Sequence, residues 1–271
     1  MRLRPEQLAG HLQGGLLPAY LVAGDELLLV QEAADAVRAA ARRAGCEERV
    51  VLEGGPGCDW ARLREEARAL SLFASRRLVE LRLPSPRPGE AGARALQAWA
   101  EDPPPGDVLL VTAPRLDREA QRARWVAALE AAGALVAVWP VERARYPAWV
   151  RARLEAAGFR PEPEAVAALA ERTEGNLLAC AQAVERLALL RPGGGALDEG
   201  AVLEAVAGGA RYGVFELAER ALAGDAAGAA RALAALRAEG TEPALVLWAV
   251  ARELRALLGQ SGGRGGPAPR G

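Results

Sequence analysis

No Lys occurs in this chain of 271 residues, and all 34 of its basic residues are Arg. That absence excludes chemistry built on a Lys amine, from Schiff bases to the phosphate-contacting Lys of a standard Walker A loop. There is one His, His11. It has no second His to share a metal and reads as a surface or satisfied side chain. Three Cys, at 46, 58 and 180, are odd in number, widely spaced and without a CxxC pair. They argue against a zinc site or a disulfide framework and fit a reducing cytoplasm. The formal net charge is -1, so no global basic field argues for nucleic acid. No run of about 18 apolar residues is present, as a membrane span would need. The opening Met1-Arg2-Leu3-Arg4-Pro5-Glu6 lacks the apolar core of a signal peptide. The expectation is a soluble cytoplasmic protein with no membrane contact.

What is present is a globular composition, 51% hydrophobic and 25% charged, long enough for two or three domains. The first half alternates apolar runs with amphipathic stretches. Ala19–Ala23, Arg49–Leu52, Leu78–Leu83, Val108–Val111 and Leu135–Trp139 read as five strands. Helices are expected over Asp25–Ala44, with Asp25 as N-cap, and over Asp59–Ala69, Ala91–Ala100 and Arg118–Ala131. The all-apolar Val108–Val111 suits a strand buried on both faces, whereas the alternation of Leu78–Leu83 suggests partial exposure. The pattern predicts a doubly wound α/β domain.

After Pro140 the strand signal stops. Tyr146–Ala157, Glu164–Glu171, Asn176–Leu190 and Asp198–Ala207 read as helices separated by Gly and Pro, which makes a small helical domain. Phe215–Ala223, Ala226–Glu239 and Glu242–Leu258 add a further helical set. The Gly, Ser, Pro and Arg tail from Gly259 to Gly271 cannot bury enough surface to order itself.

One connection stands out. Leu70-Ser71-Leu72-Phe73-Ala74-Ser75-Arg76-Arg77 joins a helix to a strand, where polar residues are usual. It carries one of only three Phe in the chain, beside Leu70 and Leu72. Exposed apolar anchors with polar and basic flanks suit a plug for another protein's pocket. The alternative is ordinary packing under the sheet, with Leu70 continuing the apolar stripe of Leu63 and Ala67. Arg76 and Arg77 read as solvated flanks.

An α/β domain followed by a small helical one is the layout of AAA+ ATPases, whose phosphate loop follows the first strand. Here that position reads Gly24-Asp25-Glu26-Leu27-Leu28-Leu29-Val30-Gln31, without the second Gly or the Lys-Thr pair. Asp25 and Glu26 would repel a triphosphate. Val108–Val111 runs into Thr112-Ala113-Pro114, without an acidic pair for magnesium. Ser71, Ser75, Ser85 and Ser261 have no His in a shared motif. No cofactor, metal or catalytic residue is expected.

The chain resembles the delta subunit of the bacterial DNA polymerase III clamp loader, in its proteobacterial form. The likeness rests on a colinear series over about residues 1–258. Its segments are Arg4–Leu8, Ala19 through Leu29 to Val37, Leu70–Arg76, Pro147–Val150, Glu174–Ala179, Gln182–Leu187 and Glu239–Pro243. The resemblance implies an AAA+-like α/β domain with a RecA-type parallel sheet at 1–140, lacking a functional nucleotide site. It implies a small helical lid at 141–210 and a partial collar at 211–258, then a disordered tail at 259–271. It implies binding and opening of the ring-shaped sliding clamp, the beta subunit, with clamp contacts at Leu70, Leu72 and Phe73. The other implied partners are gamma/tau and delta-prime type loader subunits, and DNA through the assembled complex. No intrinsic catalysis is implied, although the holoenzyme is a DNA-directed DNA polymerase. The lid position that carries a nucleotide-sensing Arg in ATPase relatives matches Leu178. The third domain is shorter than the family's collar. Two rival readings are a divergent AAA+ ATPase and a generic protein-interaction scaffold.

Overall fold

The computed structural model describes residues 1–55, 57–68, 76–173, 176–207 and 214–238, with positions 243, 246–247, 250–251 and 253–254. The chain divides into two units, Met1–Glu142 and Arg143–Gly271.

The first unit is built on a six-stranded sheet. Its strands are β1 (Arg2–Leu3), β2 (Ala19–Gly24), β3 (Glu48–Glu53), β4 (Arg77–Arg82), β5 (Val108–Ala113) and β6 (Ala134–Val138), in the order β1-β6-β2-β5-β4-β3. Every pairing is parallel. The helices are α1 (Pro5–Gln13), α2 (Leu27–Arg43), α3 (Trp60–Arg68), α4 (Gly89–Glu101) and α5 (Arg124–Ala132). Each parallel crossover needs a helix to return the chain, so both faces are covered. One face packs Leu21, Val79, Leu81, Leu109 and Val111 against Leu63 of α3, Leu96 and Trp99 of α4, and Leu129 of α5. The other packs Tyr20, Val22, Leu110 and Val136 against α1 and α2. In α2, Val30, Ala33, Ala34, Val37, Ala40 and Ala41 are buried, a stripe at helical spacing.

The structure differs from the sequence-based expectation in several places. A sixth strand, β1, pairs Arg2 with Leu135 and Leu3 with Val136, and two residues are too few to show a period. Glu26, not Asp25, is the N-cap of α2, and no side chain caps it. The expected helix 118–131 is a 3-10 turn at Ala120–Arg122 followed by α5. The break falls at Ala123, which is extended, while Asp117 accepts from the amide of Ala120 at 2.7 Å and starts the turn. Strand β4 is buried at five of its six positions rather than half exposed.

In the second unit, α6 (Tyr146–Ala156), α7 (Pro163–Thr173), α8 (Leu177–Leu190) and α9 (Glu199–Ala207) follow the expected helices closely. Two strands were not expected. β7 (Phe159–Pro161) and β8 (Gly195–Leu197) form a short parallel pair. Gly194, at φ +70°, lets the chain turn against the carbonyl of Gly158, where a Cβ would clash. Farther along, α10 (Val214–Leu222) and α11 (Ala226–Ala238) pack through Leu217, Ala232 and Leu236. The expected tail at 259–271 lies outside the described residues, as does most of the expected helix 242–258. Among the described residues no helix is long and apolar enough to cross a membrane.

Candidate functional site

The carboxyl edge of the sheet is where an α/β domain of this kind would hold a nucleotide. Strand β2 delivers Gly24 there. A Cβ on Gly24 would lie 2.6 Å from the Cβ of Val138 and still closer to the carbonyl oxygen of that residue. Gly24 is therefore required by the approach of β6, and phosphate binding is not needed to explain it. Asp25 accepts a hydrogen bond from the backbone amide of Arg115 at 3.2 Å, which ties the β2–α2 turn to the segment after β5. The Arg115 guanidinium lies over the ring of Trp139, 4.7 Å from its centroid, and Trp139 is 51% exposed. The first turn of α2 offers Leu27, Leu28 and Leu29, whose alkyl side chains give phosphate no donor and magnesium no ligand. Strand β5 runs into Ala113-Pro114 and β4 into Leu83-Pro84, so neither presents an acidic pair at this edge.

The opposite, amino edge carries the ends of the connection from α3 to β4. Leu70, Leu72 and Phe73 lie outside the described residues. Arg76 donates from Nη1 to the carbonyl of Ala44, the C-cap of α2, at 2.7 Å. A cation at a helix C-terminus complements the exposed carbonyl dipoles there. Arg77, the first residue of β4, is buried beside Asp107, which precedes β5. Its amide donates to Asp107 Oδ1 at 2.9 Å, and its Nε and Nη2 donate to Oδ2 at 3.1 and 2.7 Å. This corrects the expectation of two solvated flanks. Arg76 is exposed but hydrogen-bonded, and Arg77 is a core residue whose charge is answered by a carboxylate 30 residues away. The nearby Cys46 thiol is pushed up by burial, with Arg76 working against that rise and Asp107 adding to it.

Glu80, in the middle of β4, is 0% exposed. Its Oε1 accepts from Arg38 Nη2 at 2.7 Å and Arg82 Nε at 3.0 Å. Its Oε2 accepts from Arg38 Nε at 3.0 Å and from Arg49 Nε and Nη2 at 3.0 and 2.7 Å. Burial pushes this carboxyl up, but the bonds from the three Arg outweigh it and hold its pKa at about 2. Asp35 and Glu53 balance the remaining cations through Arg38 and Arg82. The network explains how a central Glu can be wholly buried in this strand. An acidic residue inside an apolar run was the only sequence signal for it.

In the second unit, Asn176 caps α8 by accepting from the amide of Ala179 at 2.9 Å. Leu178 sits in the first turn, 53% exposed, at the position expected to sense nucleotide in ATPase relatives. An alkyl side chain there offers phosphate no donor. Tyr146 and Thr173 meet at 2.8 Å between α6 and α7, in a buried contact. His11 Nε2 lies 3.1 Å from the Tyr20 hydroxyl, so the lone His is satisfied within the fold. The three Cys are free thiols, and no metal-binding group of three or more His, Cys, Asp or Glu occurs among the described residues.

Known proteins resemble this chain in sequence and in fold. The family model described as DNA polymerase III, delta subunit, matches residues 20–138. The chain is 37% identical over 258 residues to DNA polymerase III subunit delta of Escherichia coli, covering 95% of this chain and 75% of that protein. To the Haemophilus influenzae protein of the same name it is 31% identical over 264 residues, again covering 95% and 75%. The solved structure of a Bacillus subtilis DNA clamp loader delta protein superposes with a TM-score of 0.66 over 93% of this chain and 76% of that one. At 17% identity, that likeness shows the shared fold. The chain belongs to the DNA polymerase III delta-subunit family.

Proposed function

We propose that this chain is the subunit of a clamp loader that binds the ring-shaped DNA sliding clamp and opens it during replication, without hydrolysing ATP itself. Family membership along 95% of the chain carries the reading. The carboxyl edge supports it, since the β2–α2 turn is occupied by Gly24 against Val138 and Asp25 against Arg115 and offers no phosphate cradle. The contact residues are Leu70, Leu72 and Phe73, on the connection that re-enters the sheet at Arg76 and Arg77.

The mechanism is differential binding. Burying one Leu or Phe completely contributes about 1.5–3 kcal/mol. A few such anchors in a water-excluding interface suffice for specificity. If the tip fits a distorted clamp interface better than a closed one, the difference in affinity shifts the ring toward open. The remaining loader subunits, of gamma/tau and delta-prime type, supply ATP hydrolysis, and DNA is met through the assembled complex. Residues 141–210 serve as a lid and 211–258 as a partial collar in that assembly. A pull-down with the sliding clamp tests the reading: wild type is retained and Leu72→Ala/Phe73→Ala is not. Failure of wild type to bind would overturn it.

A further inference from the structure

The second unit carries an open groove between α6 and α7, about 680 Å³ in volume. Its lining comes from Pro147, Ala148 and Ala152 of α6 and from Val166, Ala167 and Ala170 of α7. Ala148, Ala152 and Ala167 are exposed, so small apolar groups face water where a surface helix pair usually presents polar ones. The charges stand at the two ends. Tyr146 meets Thr173 at 2.8 Å, which puts the start of α6 beside the end of α7. Glu171 therefore stands at the Pro147 end of the groove and Glu155 at the Pro163 end. Arg151, one turn before Glu155, is the nearest cation in sequence that could pair with it. Its Nη1 instead donates to the carbonyl of Pro161 at 3.3 Å. Among the described residues neither Glu155 nor Glu171 has a cation partner.

We infer that this groove docks an amphipathic helix of a partner protein, one with a small apolar stripe and a basic residue at each end of it. Small-molecule sites enclose most of their ligand, and this groove is open. An extended peptide draws its affinity from a free sheet edge, whereas these walls are helices with their backbone bonds already made. A helix brings its own backbone bonds satisfied and lays its apolar face between the walls. The alanines let its backbone come close. Glu155 and Glu171 are separated by about two helical turns of α6, so basic residues about seven positions apart would reach both. The two carboxylates steer such a helix and fix its register, while the apolar contact supplies most of the affinity.

The probe is a synthetic helical peptide with Ala and Leu along one face and an Arg at each end of that face, about two turns apart. It is titrated into the full chain and followed by fluorescence anisotropy. Wild type should bind it saturably at micromolar concentration. A matched peptide with Glu in place of both Arg should bind about tenfold more weakly. Glu155→Gln/Glu171→Gln should remove the difference between the two peptides. Ala167→Trp fills the groove from an exposed position and should abolish binding. Glu164→Gln, on the same helix but outside the groove, should bind as wild type does. Thermal unfolding shows which variants are folded, and if Ala167→Trp is not, the Gln pair decides. Equal affinity of wild type for the two peptides, a preference that survives the Gln pair, or no binding by wild type would overturn the proposal. Self-association of wild type that Ala167→Trp abolishes, seen by analytical ultracentrifugation, would give the groove to a second copy of this chain and overturn it as well.

Discussion

Arg38 grips both oxygens of Glu80, with Nη2 at 2.7 Å from one and Nε at 3.0 Å from the other, across 42 residues of sequence. This bidentate pair joins the middle of α2 to the middle of β4, and Arg49 and Arg82 complete it. Charge-assisted bonds of this geometry are the strong kind. They allow a carboxylate to stand at a wholly buried sheet position.

The pair carries a pH signature. The Glu80 carboxyl is lowered from 4.5 to about 2 in the folded protein. Its stabilisation is thus fully present above about pH 4.5 and is lost as pH falls toward about 2, a contribution of about 3 kcal/mol at neutral pH. Glu80→Gln should lower unfolding stability by about that amount at pH 7, since three guanidiniums lose their counter-charge. Urea unfolding of both proteins from pH 7 to pH 3 checks this. The gap between them should narrow as the solution becomes more acidic. A gap independent of pH would contradict the assignment.

Gly24→Ala should destabilise the first unit by about 2 kcal/mol, because the new Cβ meets the backbone of Val138, which cannot move aside like a flexible side chain. Thermal unfolding would show a lowered Tm. An unchanged Tm would mean that β6 is not what requires glycine there.

The carboxyl edge should not hold nucleotide. Titration with a fluorescent ATP analogue and magnesium should show no saturation below about 1 mM, the range where binding is worth only about 4 kcal/mol. Micromolar affinity would restore the divergent ATPase reading.

How far the sequence could be read depended on the range of each signal. The continuous apolar run of β2 and the periodic stripe of α2 are local, and both elements lie where expected. Asp25 was read as a cap because its type suits that role, yet its acceptor serves Arg115, 90 residues away. Arg77 looked like a solvated flank because nothing near it in sequence shows the carboxylate of Asp107. Glu80 made β4 look half exposed for the same reason, since two of its three partners lie 31 and 42 residues off. β1, β7 and β8, at two or three residues each, are too short to carry a period. The apolar character of Leu70, Leu72 and Phe73 is plain in the sequence, whereas the bonds that hold Arg76 and Arg77 at the amino edge came only from the fold.

The central claim is clamp binding through an apolar tip, and affinity measured on immobilised sliding clamp tests it most directly. Wild type should bind saturably, and Leu72→Ala/Phe73→Ala should lose at least about a hundredfold in affinity, as expected when two interface anchors are removed. Urea unfolding should show both proteins equally stable. Equal affinity of the two proteins for the clamp, or no binding by wild type, would contradict it.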